Sequence, residues 1–161
     1  MRSTAVFLAA LSTLLLLAAP TRAAKITEYP IPTASAGASS IVAGPDGRLW
    51  FTEYTANRIG AVTTAGVVTE YDTAAVAHPV GIAVGFNRKL VFNVSGGYLG
   101  EMTVDGQYTE TPGAGGGAAI AAGPDGRVWS GNAGTVKAFH YWINSPATAT
   151  FQLGRPRAWR R

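Results

Sequence analysis

The chain has 161 residues, no cysteine and a formal net charge of +4. A chain without cysteine cannot be stabilised by disulfides. The positive charge lies mainly at the two ends, with Arg2 and Arg22 at the start and four arginines within residues 155–161. Because acidic residues slightly outnumber basic ones between these ends, the composition does not indicate nucleic-acid binding.

The first 23 residues have the three-part pattern of a secretory signal peptide. Arg2 precedes an uncharged run rich in leucine and alanine from Ala5 to Ala19, and small residues stand at the −3 and −1 positions of a cut after Ala23. The run has about 15 residues, and a bilayer-spanning helix needs roughly 20. The sequence therefore predicts a cleaved leader at 1–23 and a secreted or periplasmic protein with no stable membrane anchor. An uncleaved anchor is the alternative.

Two sequence motifs recur in the remaining chain at a period of about 40 residues. The first comprises IVAGPDGRLWF, IAVGFNRKLVF and IAAGPDGRVWS, which begin at Ile41, Ile82 and Ile120. The second runs in phase with it and comprises ITEYP, VTEYD and YTETP, which begin at Ile26, Val68 and Tyr108. The recurrence in the same order indicates an internal repeat, with units near residues 26–67, 68–107 and 108–148.

Each unit has the pattern of four short β-strands. In the first unit Ser40–Ala43 is a short apolar run, and the following GPDG is typical of a turn because proline fixes φ and glycine accepts positive φ. Leu49–Thr52 resumes an aromatic strand, and two more strands follow. Four strands at this period predict an all-β fold of about three β-propeller blades, four-stranded antiparallel meanders within residues 24–153, with a basic tail at 154–161.

The blades resemble those of the virginiamycin B lyase family. The strings TEYPIPT, AGPDGRLWFTEY and NRIGAVTTAGVVTEY carry the resemblance, which extends from Ile26 to about Val136. It implies a seven-bladed propeller and a Mg-dependent carbon–oxygen lyase that linearises streptogramin B antibiotics at their ester bond. A seven-bladed ring at this period needs about 280 residues, and the repeat disappears after His140. A truncated or degenerate relative, one part of an assembly, or a chain out of its original reading frame near residue 140 would each explain the difference.

The resemblance implies a site in which histidines and glutamates near the ring axis bind the metal and transfer a proton. The candidates are Glu53, for catalysis or metal binding, and His78. Glu53 ends the LWFTE string, but the aligned residues of the other units are Val94 and Asn132. His78 lies two positions from the place where family blades carry histidine. The alternatives are a Glu53 carboxylate at a loop edge that pairs with Arg58 or water, and a solvated loop position for His78. Mg²⁺ is expected as a cofactor only if the chain is a lyase.

Other conspicuous residues are expected to be structural or solvated. Trp50 and Trp129 are aligned and are expected to pack between blades. Gly113–Gly117 is glycine-rich but lacks the lysine and hydroxyl residue of a phosphate-binding loop. His140 lies where the repeat has decayed, and no catalytic role is expected for it. A solvated face is expected for the in-phase glutamates of the second motif, Glu28, Glu70 and Glu110.

The sequence leads to two functional interpretations. One is a non-catalytic or partial module that binds a small-molecule or protein ligand outside the cytoplasm. The other is a streptogramin B lyase that is active only in a larger assembly or a longer chain. An open arc of about three blades leaves two terminal faces in water, so self-association through these faces is expected.

Overall fold

The structure is a computed structural model that describes residues 24–73, 77–113, 115–132, 134–140 and 148–152. Three four-stranded antiparallel sheets form in these residues. The predicted leader at 1–23 and the basic tail at 154–161 lie outside the described residues. In the described part of the chain, no helix is long and apolar enough to cross a membrane.

Each sheet is a meander whose strands pair in chain order. The first sheet contains β1 (Ala38–Ala43), β2 (Leu49–Glu53), β3 (Arg58–Val62) and β4 (Val68–Asp72). The second contains β5 (Ile82–Val84), β6 (Leu90–Val94), β7 (Tyr98–Met102) and β8 (Tyr108–Thr111). The third contains β9 (Ala119–Ala122), β10 (Arg127–Asn132), β11 (Thr135–His140) and β12 (Thr148–Gln152). The all-β fold of propeller blades is confirmed.

The sheets are offset by one strand from the sequence repeat. The VTEYD and YTETP motifs form β4 and β8, the fourth strands of the first and second sheets. Each repeat unit therefore combines the last strand of one sheet with the first three strands of the next. The remaining copy of the motif, ITEYP at residues 26–30, forms no strand and precedes β1.

Two apolar cores lie between consecutive sheets. The core between the first and second sheets includes Trp50, Ile59, Ala61, Leu90, Phe92 and Met102. The core between the second and third sheets includes Ala83, Val91, Leu99, Val128 and Phe139. Since successive side chains of a strand point to opposite faces, β6 contributes to both cores. Trp50 packs between blades as predicted. Trp129 is half-buried, on the face of the third sheet opposite Val128.

Aromatic rings lie over glycines in the first two sheets. Phe51 lies opposite Gly60, and Phe92 lies opposite Gly100. A Cβ added at Gly100 would overlap the Phe92 ring, so a larger residue there requires the ring to move. In the third sheet the corresponding pair is Ser130 and Lys137, where both the ring and the glycine have been replaced.

Gly100→Ala is expected to lower the free energy of unfolding by about 1–3 kcal/mol, because the methyl group overpacks the core against Phe92. Gly131→Ala is the matched control, since its Cβ would meet the Ala119 Cβ at an ordinary 3.6 Å. It should change stability by no more than about 0.5 kcal/mol. Urea unfolding measures both variants, and equal losses would contradict the overpacking argument.

Candidate functional site

Glu53 is the last residue of β2, and its side chain is completely buried. The carboxyl group lies against Gly60, where an added Cβ would come 2.6 Å from Oε1. Neither carboxyl oxygen has a hydrogen-bond partner in the described part of the chain. The alternative prediction of a loop-edge carboxylate paired with Arg58 or water is therefore wrong, because neighbouring strands and side chains cover Glu53 completely.

The polar groups of Arg58 contact other residues of the same sheet and of the N-terminal segment, residues 24–37. Its Nε donates to Asp72 Oδ1 at 2.8 Å, and its Nη1 donates to Thr33 Oγ1 at 2.6 Å and lies 3.6 Å from Glu70 Oε2. The backbone N–H of Thr33 donates to Glu70 Oε1 at 3.1 Å. The N-terminal segment is thus tied to this face of the first sheet. Glu70 is only 12 % exposed, whereas a solvated position was predicted.

The environment of Glu53 favours its protonated form. Burial, followed by the negative charge of Glu70, raises the pKa of Glu53 to about 7, and the opposing charge of Arg58 only partly offsets this. A carboxyl group with this pKa exists in both protonation states at neutral pH, as a group that holds or transfers a proton requires.

His78 lies in the loop before β5 and is half-buried, so it is a loop residue but not a fully solvated one. Its Nδ1 is 3.0 Å from the carbonyl oxygen of Tyr54, and its ring stacks on the Tyr54 ring with centroids 5.0 Å apart. Its backbone N–H donates to Asn57 Oδ1 at 2.9 Å. None of these contacts involves the Glu53 carboxyl group, so the structure does not join the two candidates.

The described residues do not fit a magnesium ion. Among them, no group of three or more histidine, aspartate or glutamate side chains is placed to hold a metal. The carboxyl group that acts on Glu53 belongs to Glu70. Glu70 and Asp72 both contact the Arg58 guanidinium. Mg²⁺ needs oxygen donors in near-octahedral geometry, and a carboxyl group that favours protonation is a poor one. His140 is the last residue of β11, and its side chain lies outside what the structure describes.

A buried polar link between the second and third sheets was missed in the sequence. Asn93 Nδ2 donates to the carbonyl oxygen of Ala119 at 3.2 Å, and Ser130 Oγ lies 3.0 Å from Asn93 Oδ1 and 2.9 Å from the carbonyl oxygen of Gly116. Thr52 makes a comparable link between the first two sheets, because its Oγ1 donates to the carbonyl oxygen of Val80 at 2.7 Å. The available signal was a lone asparagine within the apolar strand LVFNV.

The glycine-rich segment 113–117 serves this same sheet-to-sheet junction. A Cβ added at Gly115 would overlap the backbone of Tyr98, and one at Gly117 would overlap the backbone of Gly131. Glycine is needed here because two backbones approach closely. The segment therefore has a packing role rather than the geometry of a phosphate-binding loop.

The outer face of the first sheet carries an apolar groove of about 380 Å³. Its lining includes Tyr29, Ile31, Ile41, Phe51, Val62 and Val68. On this face Leu49 is 40 % exposed, whereas Leu90 and Val128 at the aligned positions of the other sheets are fully buried. On the second and third sheets, the equivalent face is covered by the preceding sheet.

Glu53→Gln is expected to remove a pH dependence from the stability of the protein. Because the pKa of Glu53 is about 7 in the folded chain and 4.5 without burial, protonated Glu53 favours folding. This contribution is complete below about pH 4.5 and is lost as pH rises to about 7, by roughly 3 kcal/mol. Urea unfolding at several pH values should show that loss in the unaltered protein and a flatter profile in Glu53→Gln.

The control for this comparison is Glu110→Gln, which replaces an exposed carboxylate by the same amide. It should keep the pH profile of the unaltered protein. An identical profile in Glu53→Gln would show that Glu53 does not titrate between these pH values.

The chain matches the virginiamycin B lyase family over residues 16–149. Among solved structures it is similar to the selenomethionine-substituted virginiamycin B lyase of Staphylococcus aureus, with 28 % identity and a TM-score of 0.71. A catalytically inactive variant of that enzyme with quinupristin gives 29 % identity and a TM-score of 0.71. A streptogramin B lyase structure gives 27 % identity and a TM-score of 0.72.

These alignments cover 81 % of this chain but only 45–46 % of the solved chains. The chain thus spans just under half the length of the enzymes it matches. The family match includes all three described sheets up to the start of β12, in agreement with the resemblance of its blade sequences. The chain belongs to the virginiamycin B lyase family.

Proposed function

We propose that this chain is an exported, non-catalytic binding module built from blades of the virginiamycin B lyase type. The export part rests on the signal-peptide pattern of residues 1–23. The non-catalytic part is supported by the separation of Glu53 from His78 and by the contacts of Glu70 and Asp72, whose carboxylates are already engaged by the Arg58 guanidinium.

The observation that carries the binding role is the apolar groove on the first sheet. Ile41 is 61 % exposed and Leu49 is 40 % exposed on a face whose counterparts in the other sheets are covered. Exposed apolar surface of this kind gains roughly 25 cal/mol per Å² when it is buried. A partner that presents an apolar sheet face is therefore the ligand this surface favours.

A second candidate function is a lyase that needs further blades from another chain or from a longer one. It is favoured by the pKa of Glu53, which is about 7, and by the likeness to lyases with and without bound quinupristin. In this candidate, Glu53 would hold a proton, and the additional blades would supply the metal ligands.

The two candidates predict different results with a streptogramin B antibiotic and Mg²⁺. For the proposed binding module we expect no linearised product by mass spectrometry, because the described residues offer no metal-binding set. Mg-dependent product that is lost in Glu53→Gln and retained in Glu110→Gln would overturn the non-catalytic proposal in favour of the lyase.

The binding face is tested with the uncharged apolar dye Nile red at low protein concentration. Ile41→Lys should lower dye fluorescence severalfold, because it places a charge in the groove. Phe86→Lys is the control, since Phe86 is 74 % exposed but lies in the turn before β6. Equal fluorescence in Ile41→Lys and the unaltered protein would contradict an accessible apolar groove.

A further inference from the structure

The ITEYP segment, residues 26–30, occupies the place of a fourth strand that belongs to a preceding sheet. It is followed by β1 after a short connection, as β4 is followed by β5 and β8 by β9. It shares the letters TEY with β4. Its first residue, Ile26, is 84 % exposed. By chain order and by sequence, the segment corresponds to a fourth strand, and it pairs with none of the three sheets of the described residues.

The contacts of Tyr29 agree with this assignment. A Cβ added at Gly66 would overlap the Tyr29 ring, and a Cβ added at Gly106 would overlap the Tyr71 ring. Gly66 and Gly106 are equivalent glycines of the hairpins that join the third and fourth strands of their sheets. Tyr29 therefore lies against the first sheet as Tyr71 of β4 lies against the second.

In the first sheet, the hydroxyl group of Tyr71 takes part in a hydrogen-bonded cluster with Asp46, Arg48 and Trp50. Asp46 Oδ1 accepts the Trp50 indole N–H at 3.0 Å, and Asp46 Oδ2 accepts Arg48 Nε at 2.6 Å. The guanidinium lies 4.4 Å from the centroid of the Trp50 ring. Arg48 then donates from Nη1 to the Tyr71 hydroxyl at 2.9 Å and from Nη2 to the Val104 carbonyl oxygen, in the next sheet, at 2.7 Å.

The third sheet has the same contacts among its aspartate, arginine and tryptophan. Arg127 Nε donates to Asp125 Oδ2 at 2.6 Å, and the guanidinium lies 4.6 Å from the centroid of the Trp129 ring. In the described part of the chain, the hydrogen bonds of the Arg127 side chain are to Asp125 only. At the register position of Tyr71, β12 carries Phe151, a residue without a hydroxyl group.

Opposite charges also favour pairing of the ITEYP segment with β11 of the third sheet. If it paired with β11 as β4 pairs with β3, Glu28 would lie opposite Lys137, because Glu70 lies opposite Gly60 and Lys137 takes the position of Gly60. At present Lys137 lies opposite Thr150 of β12. Opposite charges directly across two strands stabilise their pairing.

We propose that a second copy of this chain docks head to tail, with the ITEYP segment of one copy replacing β12 beside β11 of the other. The partner's Arg127 then donates to the Tyr29 hydroxyl and to the Thr64 carbonyl oxygen, as Arg48 does to Tyr71 and Val104. The third sheet of the partner covers the groove of the first sheet. This inference rests on the proposed binding function and names its partner.

The absence of cysteine allows a direct test of the register. The Glu28→Cys/Lys137→Cys double variant places two thiols opposite each other across the proposed strand pair, within disulfide distance. After mild oxidation of the exported full-length product, a covalent dimer should form with at least tenfold higher yield than in the Glu28→Cys/Gln107→Cys control. Gln107 lies in an exposed hairpin away from this contact. Equal yields, or a link within one chain, would overturn the proposal.

Light scattering of the cysteine-free protein gives a second readout. The unaltered protein should have the mass of two or more copies, and Thr27→Pro should reduce it to one because proline cannot pair at the centre of a strand. Lys25→Pro, outside the ITEYP segment, should leave the mass unchanged. Residues 24–30 form no strand within the chain, so both variants should keep the circular dichroism of the fold.

The failures of the two proposals are distinguishable. A monomer whose groove still binds the dye would overturn the self-association and leave the binding module with another partner. A monomer whose groove binds no dye, and whose fluorescence is unchanged in Ile41→Lys, would overturn both.

Discussion

Burial of each sheet face against a neighbouring sheet is the constraint on which the rest of this structure depends. The second sheet satisfies it twice, with Phe92 facing the first sheet and Val91 facing the third, both completely buried. The first sheet satisfies it once, so Leu49 stays in contact with water while Leu90, its counterpart, does not. The proposed binding would thus draw on the same kind of apolar surface that stabilises the contacts between sheets, at roughly 25 cal/mol per Å².

The contacts among an aspartate, an arginine and a tryptophan show how the repeat adapts to this constraint. This Asp–Arg–Trp cluster consists of Asp46, Arg48 and Trp50 in the first sheet and of Asp125, Arg127 and Trp129 in the third. Arg48 connects its own turn to the neighbouring sheet through the Val104 carbonyl oxygen. In the second sheet, Lys89 and Val91 stand at the positions of Arg48 and Trp50, and Lys89 lies 3.5 Å from Glu101 within the same sheet. There the apolar contacts of Val91 with the third sheet replace the polar connection. The cluster is retained in the first and third sheets.

Local sequence patterns predicted the strands and turns because these depend on neighbours in the chain. The GPDG turn, the short strands around it and the packing of Trp50 between blades followed from composition and spacing. The burial of Glu53 could not be predicted in this way, since it depends on Gly60 in β3, against which the carboxyl group lies, and on Glu70 in β4.

The N-terminal segment contacts the charged groups around Glu53 and also lines the apolar groove of the first sheet. Thr33 contacts Arg58 and Glu70, the charged groups nearest to the buried Glu53. A ligand that entered this region to reach Glu53 would have to break those hydrogen bonds. A sheet that docked onto the groove would leave them intact, because Tyr29 and the ITEYP segment lie at the other end of the N-terminal segment. The proposed docking would therefore leave the polar end of this face intact and use only its apolar end, which supports the proposed binding role over catalysis by a single copy.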